Sequence, residues 1–225
     1  MLRRISLLVV LLVGVAQSRG AEPAPVLLET LGRTRVKDKA GQWIVTYKPL
    51  RWNAAETAVI LCDMWDDHYC QNAARRVAEM APVMNEVVKQ CRDRGMLIIH
   101  CPSGCMDVYK DTAGRKLAQQ APVVPPKVPL KNWCHLDPER EAPLPIDVTE
   151  PCDDEKPREK KRFYSKQIDS LEIKPGDAIT DSAEAYYLMR QKKIKNVIVM
   201  GVHTNMCVLG RPFGIRQLVY QGLNV

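Results

Sequence analysis

Three short, nearly continuous apolar runs constrain this chain most: Thr57–Cys62, Met96–Cys101 and Asn196–Met200. Runs of this length and composition suit strands covered on both faces, as in a parallel sheet. Between the first two, a helix is expected from about Asn72. Pro82 is expected in the first turn of its main part, where a missing N–H costs little. Val83, Val87 and Cys91 form one stripe, with Met84 and Val88 beside it, and Gly95 closes the helix. This strand–helix–strand unit predicts a right-handed parallel crossover. Later, Asp181-Ser-Ala-Glu184 resembles a capping box, with Asp in place of Ser or Thr. It opens a helix given apolar bulk by Tyr186, Tyr187 and Met189. A last helix is predicted from Asn205 or Met206 to Gly222, kinked or tightened by Pro212. Leu223-Asn-Val225 reads as the first residues of another strand. The fold class is α/β, a three-layer αβα sandwich with a mostly parallel central sheet. At 225 residues the chain suits one domain with a real core.

Segments outside this rhythm carry their own signals. Residues 1–20 read as a secretory signal peptide: Arg3 and Arg4, then apolar Ile5 to Ala16, then small residues at Ser18 and Gly20. An uncleaved anchor is the alternative. Export to the periplasm or the extracellular space is therefore expected, with no membrane association once the signal is cleaved. The rest, 21–225, reads as one domain. Residues 21–56 form an extension in which Arg33–Val36 and Trp43–Tyr47 flank Gly41, an irregular hairpin whose pairing Pro49 should end. A proline-rich insertion spans about 102–162, either a lid or an added surface layer. The formal net charge is +7, but acids and bases are interspersed. The basic run Lys156–Arg162 reads as a solvated surface, and no nucleic-acid partner is expected. Eight cysteines follow the leader without metal-motif spacing. Cys62, Cys91 and Cys101 suit core positions. Pairing among Cys70, Cys105, Cys134 and Cys152 stays open, and Cys134 and Cys152 are candidates to staple the insertion.

Chemistry is expected at strand ends. In an open parallel sheet, ligands bind beyond the carboxyl ends of the strands. Asp63 follows the first run directly, and Cys207 lies shortly after the third, at a helix start. Helix-terminal amides favour a thiolate, so a lowered thiol pKa is predicted for Cys207. A buried structural thiol is the alternative for Cys207, and an N-cap or loop acid is the alternative for Asp63.

The local sequences narrow these choices. Val59-Ile-Leu-Cys-Asp63-Met-Trp-Asp-Asp67 resembles the first motif of the isochorismatase-like cysteine hydrolase superfamily. Gly201-Val-His-Thr-Asn-Met-Cys207-Val208 resembles its nucleophile motif, G-x-x-T-[DN]-x-C-V. The resemblance covers 57–101 and 163–225 and points to an exported branch. It implies Asp63 as general base and Cys207 as nucleophile, with a nearby lysine completing a catalytic triad. Lys166 is the choice for that lysine, and Lys160 and Lys161 are the fallbacks. It further implies a cis peptide between Val202 and His203, which would turn the His203 and Cys207 amides into an oxyanion hole. Trp65, His68 and His203 are candidate substrate-binding residues, with an ordinary loop histidine the alternative for His68. Metal-binding relatives carry an Asp-x-His pair and a further His; here His100 stands alone, so neither metal nor other cofactor is expected. The sheet strand and helix that relatives carry later have no counterpart before Val225, which suggests a truncated chain.

The activity so implied is cysteine-dependent hydrolysis of a small amide, carbamoyl or ureido C–N bond through a thioester. Cys207 argues against vinyl-ether cleavage, which needs no thiol. A non-catalytic module that binds a small molecule on the same fold is the alternative. A thiol-redox protein would carry a C-x-x-C pair, which is missing. The expected partner is a small-molecule substrate, and relatives commonly form homo-oligomers.

Overall fold

The computed structural model describes residues 25–144 and 152–225. The leader expected over 1–20 lies outside them. Among the described residues, no helix is long and apolar enough to cross a membrane.

Three predicted strands form: β3 (Thr57–Cys62), β4 (Leu97–Cys101) and β6 (Asn196–Gly201). They lie in one all-parallel, four-stranded sheet of order β5-β4-β3-β6. The short β5 (Ala178–Ile179) escaped the sequence reading, because two residues carry no periodicity. Asn224 adds a parallel bridge to Asn196 on the outer side of β6, in line with the strand start read at Leu223. All six residues of β3 are buried, as a central strand covered on both faces requires.

Side chains alternate between two cores. Val59, Leu61 and Ile98 pack with Val77, Ala81, Val88 and Cys91 of α1 (Gln71–Asp93). Ala58, Ile60, Cys62 and Ile99 face the other layer. That layer includes α4 (Glu184–Gln191), α5 (Cys207–Gly210), α6 (Ile215–Tyr220) and Ala118 of α3 (Ala113–Gln119). The short α2 (Met106–Tyr109) precedes α3. The result is three layers, helix over sheet over helix.

Several local expectations change. Pro82 lies inside α1 and not in its first turn. It is tolerated because Pro82 and Ala78, whose carbonyl it leaves without a partner, are both exposed. The buried stripe of α1 accordingly runs through Val77, Ala81, Val88 and Cys91, while Val83 and Val87 face solvent. The capping box at Asp181 does not close. Asp181 accepts from the Gly104 amide, and Glu184 pairs with Arg115 and Thr180 instead of returning to the cap. Pro49 does not end the N-terminal hairpin: β1 (Leu27–Lys37) and β2 (Trp43–Asn53) pair throughout, with Pro49 opposite Leu31. A two-stranded ribbon is all edge, which is where proline is accepted in sheets. The final helix breaks into α5 and α6 around Pro212.

One buried polar network ties the sheet to its surroundings. The Asp177 carboxylate receives two hydrogen bonds from Arg92 (3.0 and 2.7 Å) and lies 3.2 Å from His100. His100, also bonded to Gln167, is thus fully engaged in the interior. Burial pushes the Asp177 carboxyl upward, but the bonds from His100 and Arg92 outweigh it and hold it at about 2. A carboxylate with a lowered folded-state pKa stabilises above its unfolded value of 3.8, and that contribution is lost as pH falls towards about 2. Asp177→Asn should therefore cost about 2 kcal/mol at neutral pH. The gap from the parent should close between about pH 4 and pH 2, measured by urea unfolding across that range.

Candidate active site

The carboxyl ends of β3 and β6 bring an acid and a sulfur together. Asp63 leaves β3 fully buried and with a left-handed backbone (φ 53°), an uncommon conformation that asparagine and aspartate tolerate best. Its amide donates to Cys101 O at 3.0 Å, and its Oδ1 accepts from the Ser103 amide at 2.9 Å. The carboxylate is thereby fixed to the loop after β4. Oδ2 lies 3.4 Å from Arg211 Nε, without a well-formed hydrogen bond on either atom.

β6 approaches β3 very closely at its end. A Cβ on Gly201 (φ 134°) would fall 2.0 Å from Cys62 O, so only glycine fits. The Val202 amide donates to that same oxygen at 3.0 Å, and the Val202–His203 peptide is cis. The turn that follows is gathered on the His203 carbonyl, which accepts from the Met206 and Val208 amides, each at 3.1 Å. Cys207 then opens α5, its thiol within hydrogen-bonding influence of Asp63, Arg211 and the His203 amide.

The electrostatics differ from the sequence expectation. Burial first, and then the Asp63 charge, push the Cys207 thiol up to about 12, while Arg211 and the His203 amide pull it back. A four-residue helix supplies too little field to reverse this. The sulfur is favoured as a thiol beside a carboxylate over a standing thiolate.

Lys166 is not the cation at this centre. Its Nζ pairs with Asp169 at 2.6 Å, and its backbone is held in register by Asp66, which bonds its amide and its carbonyl. The neighbouring cation is Arg211, which sequence reading missed. Pro212 disfavours helical geometry at the residue before it. Arg211 accordingly turns extended (φ −61°, ψ 160°) at the end of α5, one turn from Cys207. The guanidinium also lies 5.7 Å from the Trp133 ring centre, and Trp133 packs where a Cβ on Gly210 would go. Pro212 is the signal for Arg211 in the sequence, through its effect on the residue before it.

A cleft of about 420 Å³ opens onto the sulfur, lined among others by Trp65, His68, Tyr164, His203 and Met206. The three substrate-binding candidates thus share it. Trp65 is stacked on Tyr164 (4.1 Å between centres, 5° between planes) and lies parallel to His68 at 5.9 Å. Its indole N–H donates to Ser103 O at 3.2 Å, which links this wall to the loop that orients Asp63. Burial lowers the pKa values of His68 and His203, helped at His68 by the charge of His203 and at His203 by those of Arg76 and Arg211, so both rings are neutral near pH 7. Lys160 and Lys161, the fallback lysines, line the cleft with Arg162. Asp66 and Asp67 do not enter it. They fasten its wall, Asp67 to Arg158 at 2.8 and 3.0 Å and Asp66 to the Ser165 amide at 2.8 Å.

Cysteines 62, 91 and 101 are buried as read from the sequence. Cys134 bonds to Gln217 Oε1 at 3.4 Å, and the thiol beside Cys152 is that of Cys70.

Parallel-sheet topology, with an acid and a thiol at the strand ends, defines an α/β domain. The family model described as Isochorismatase domain matches residues 57–223, running through the segment read as an insertion. The chain therefore belongs to the isochorismatase family, whose members are in general hydrolytic enzymes. No curated protein is matched by the chain.

The charge arrangement can be read by alkylation. Removing the Asp63 charge lowers the Cys207 pKa, and removing Arg211 raises it. At pH 8, iodoacetamide should modify Cys207 about tenfold faster in Asp63→Asn and several-fold slower in Arg211→Met than in the parent. In the parent the rate should climb with pH towards about 12. Mass spectrometry of the Cys207 peptide gives the rates.

Proposed function

We propose that this chain hydrolyses the C–N bond of a small amide, carbamoyl or ureido compound through a thioester on Cys207. The observation that carries the reading is the buried Asp63 Oδ2, unbonded and 3.4 Å from Arg211, beside a thiol that faces an open cleft. Asp63 takes the thiol proton as the sulfur attacks the carbonyl carbon. Negative charge moves from the carboxylate to the sulfur and then to the carbonyl oxygen. The fixed Arg211 charge offsets the first part of that path. The His203 and Cys207 amides receive the oxyanion, a contribution of roughly 3–4 kcal/mol per donor. Collapse breaks the C–N bond, and the leaving nitrogen takes the proton from Asp63. Water then gives a proton to Asp63 as it attacks the thioester, and the departing sulfur recovers that proton.

The walls suggest what surrounds the reacting bond. The Trp65–Tyr164 stack favours a flat group, and Lys160, Lys161 and Arg162 favour one that also carries a carboxylate.

A panel of small amides and ureido acids, screened for ammonia release, tests this. Cys207→Ala should lose at least about 10³-fold in turnover. Equal release by parent and variant would remove the sulfur from the chemistry. The raised thiol pKa favours one other reading, a binding module without turnover. It predicts that the panel binds by calorimetry, that nothing is released, and that Cys207→Ala leaves affinity unchanged.

A further inference from the structure

We propose that Cys70 and Cys152 form a disulfide that locks the wall of the cleft to the start of α1. The Sγ atoms of Cys70 and Cys152 and a carboxylate oxygen of Asp154 all lie within 4.8 Å of one another. These thiols come from distant parts of the chain, and separate contacts hold them together. Asp154 accepts from the Gln71 and Asn72 amides at 2.6 and 2.8 Å, which caps α1 from outside. Asp153 makes a two-pronged bond to Arg76 at 2.8 and 3.1 Å. Approach of the two sulfurs therefore follows from the way this segment docks on the helix.

The same donors fit a metal ion less well. Both Asp154 oxygens already accept helix amides, and Asp153 is committed to Arg76, which leaves two thiols where a structural zinc takes four ligands. Two neighbouring carboxylates also oppose a pair of thiolates, whereas a disulfide is neutral. The remaining six cysteines have other surroundings: Cys62 and Cys101 pack in the interior with Cys207, Cys91 of α1 packs in the core on the other side of the sheet, Cys105 packs with Trp65 and Tyr109, and Cys134 faces Gln217.

The oxidant required is a low-molecular-weight disulfide, which an exported chain would meet. Cys152 is the more exposed thiol, so it reacts first. Its thiolate attacks one sulfur of the reagent and expels one thiol. Cys70, losing its proton, attacks the Cys152 sulfur of the mixed disulfide and expels the second. Two protein thiols are oxidised and one reagent disulfide is reduced to two thiols. The bond would tie Cys70, which follows the cleft residues His68 and Tyr69, to the segment leading to the cleft residues Lys160, Lys161 and Arg162.

The test does not depend on the reaction proposed for Cys207. Full-length protein is equilibrated with oxidised glutathione, free thiols are alkylated after denaturation, and peptides are mapped by mass spectrometry. A linked Cys70–Cys152 peptide is expected, with Cys207 alkylated. Oxidation should slow tryptic cutting between Lys156 and Arg162 by about fivefold or more, and dithiothreitol should reverse this. Neither effect should appear in Cys152→Ser, nor in Cys70→Ser. Alkylation of both cysteines after oxidation, or linkage of either to Cys105 or Cys134, would overturn the proposal. So would stoichiometric zinc that survives dialysis of the parent and is lost from Cys152→Ser.

Discussion

A carboxylate sealed from water beside a sulfur is the constraint on which the rest of this structure turns. Asp63 is fully buried, and an isolated buried charge costs several kcal/mol. The Ser103 amide and the Arg211 guanidinium compensate it, and each is placed by a different irregularity. Ser103 belongs to the loop that takes over where β4 stops. Arg211 is delivered by a helix that Pro212 cuts short. The compensation is incomplete in geometry: one oxygen is held by the Ser103 amide, and the other lies 3.4 Å from Arg211 without a well-formed hydrogen bond. Such a charge contributes little to stability.

Much of this was legible in the sequence because it rests on local pattern. The runs ending at Cys62, Cys101 and Met200 declare buried parallel strands, and Asp63 and Cys207 follow from where such strands end. What escaped depends on side chains meeting across the fold. Arg211 and Lys166 are both basic residues at plausible distances in sequence, and only the break at Pro212 and the hold of Asp66 on residue 166 distinguish them. The stripe of α1 was misassigned because valines at 83 and 87 look more apolar than the alanine at 81, yet the alanine permits close packing and is the one buried. Pro49 is accepted because proline interrupts central strands, and a two-stranded ribbon has none. The thiol pKa was read from helix position, while burial and a neighbouring acid decide it.

The aspartates of the first motif divide their labour. Asp63 faces the sulfur, whereas Asp66 and Asp67 act as fasteners for the segment 158–166, which supplies the basic side of the cleft. Tyr164 from that segment stacks on Trp65, which in turn bonds to Ser103 beside Asp63. The cleft wall and the Asp63–Cys207 pair therefore share one continuous set of contacts, although Trp65 and Tyr164 lie about a hundred residues apart in the chain.

The contact at Gly201 gives this arrangement a particular kind of robustness. Because main chain rests directly on main chain there, the approach of the two strand ends that carry Asp63 and lead to Cys207 is set by the sheet itself, with no side chain interposed to be traded for a larger or smaller one. The surrounding wall has no such restriction, being made of long side chains hung on irregular backbone. Divergence in that wall can proceed by ordinary substitution while the meeting of the two strand ends is inherited unchanged.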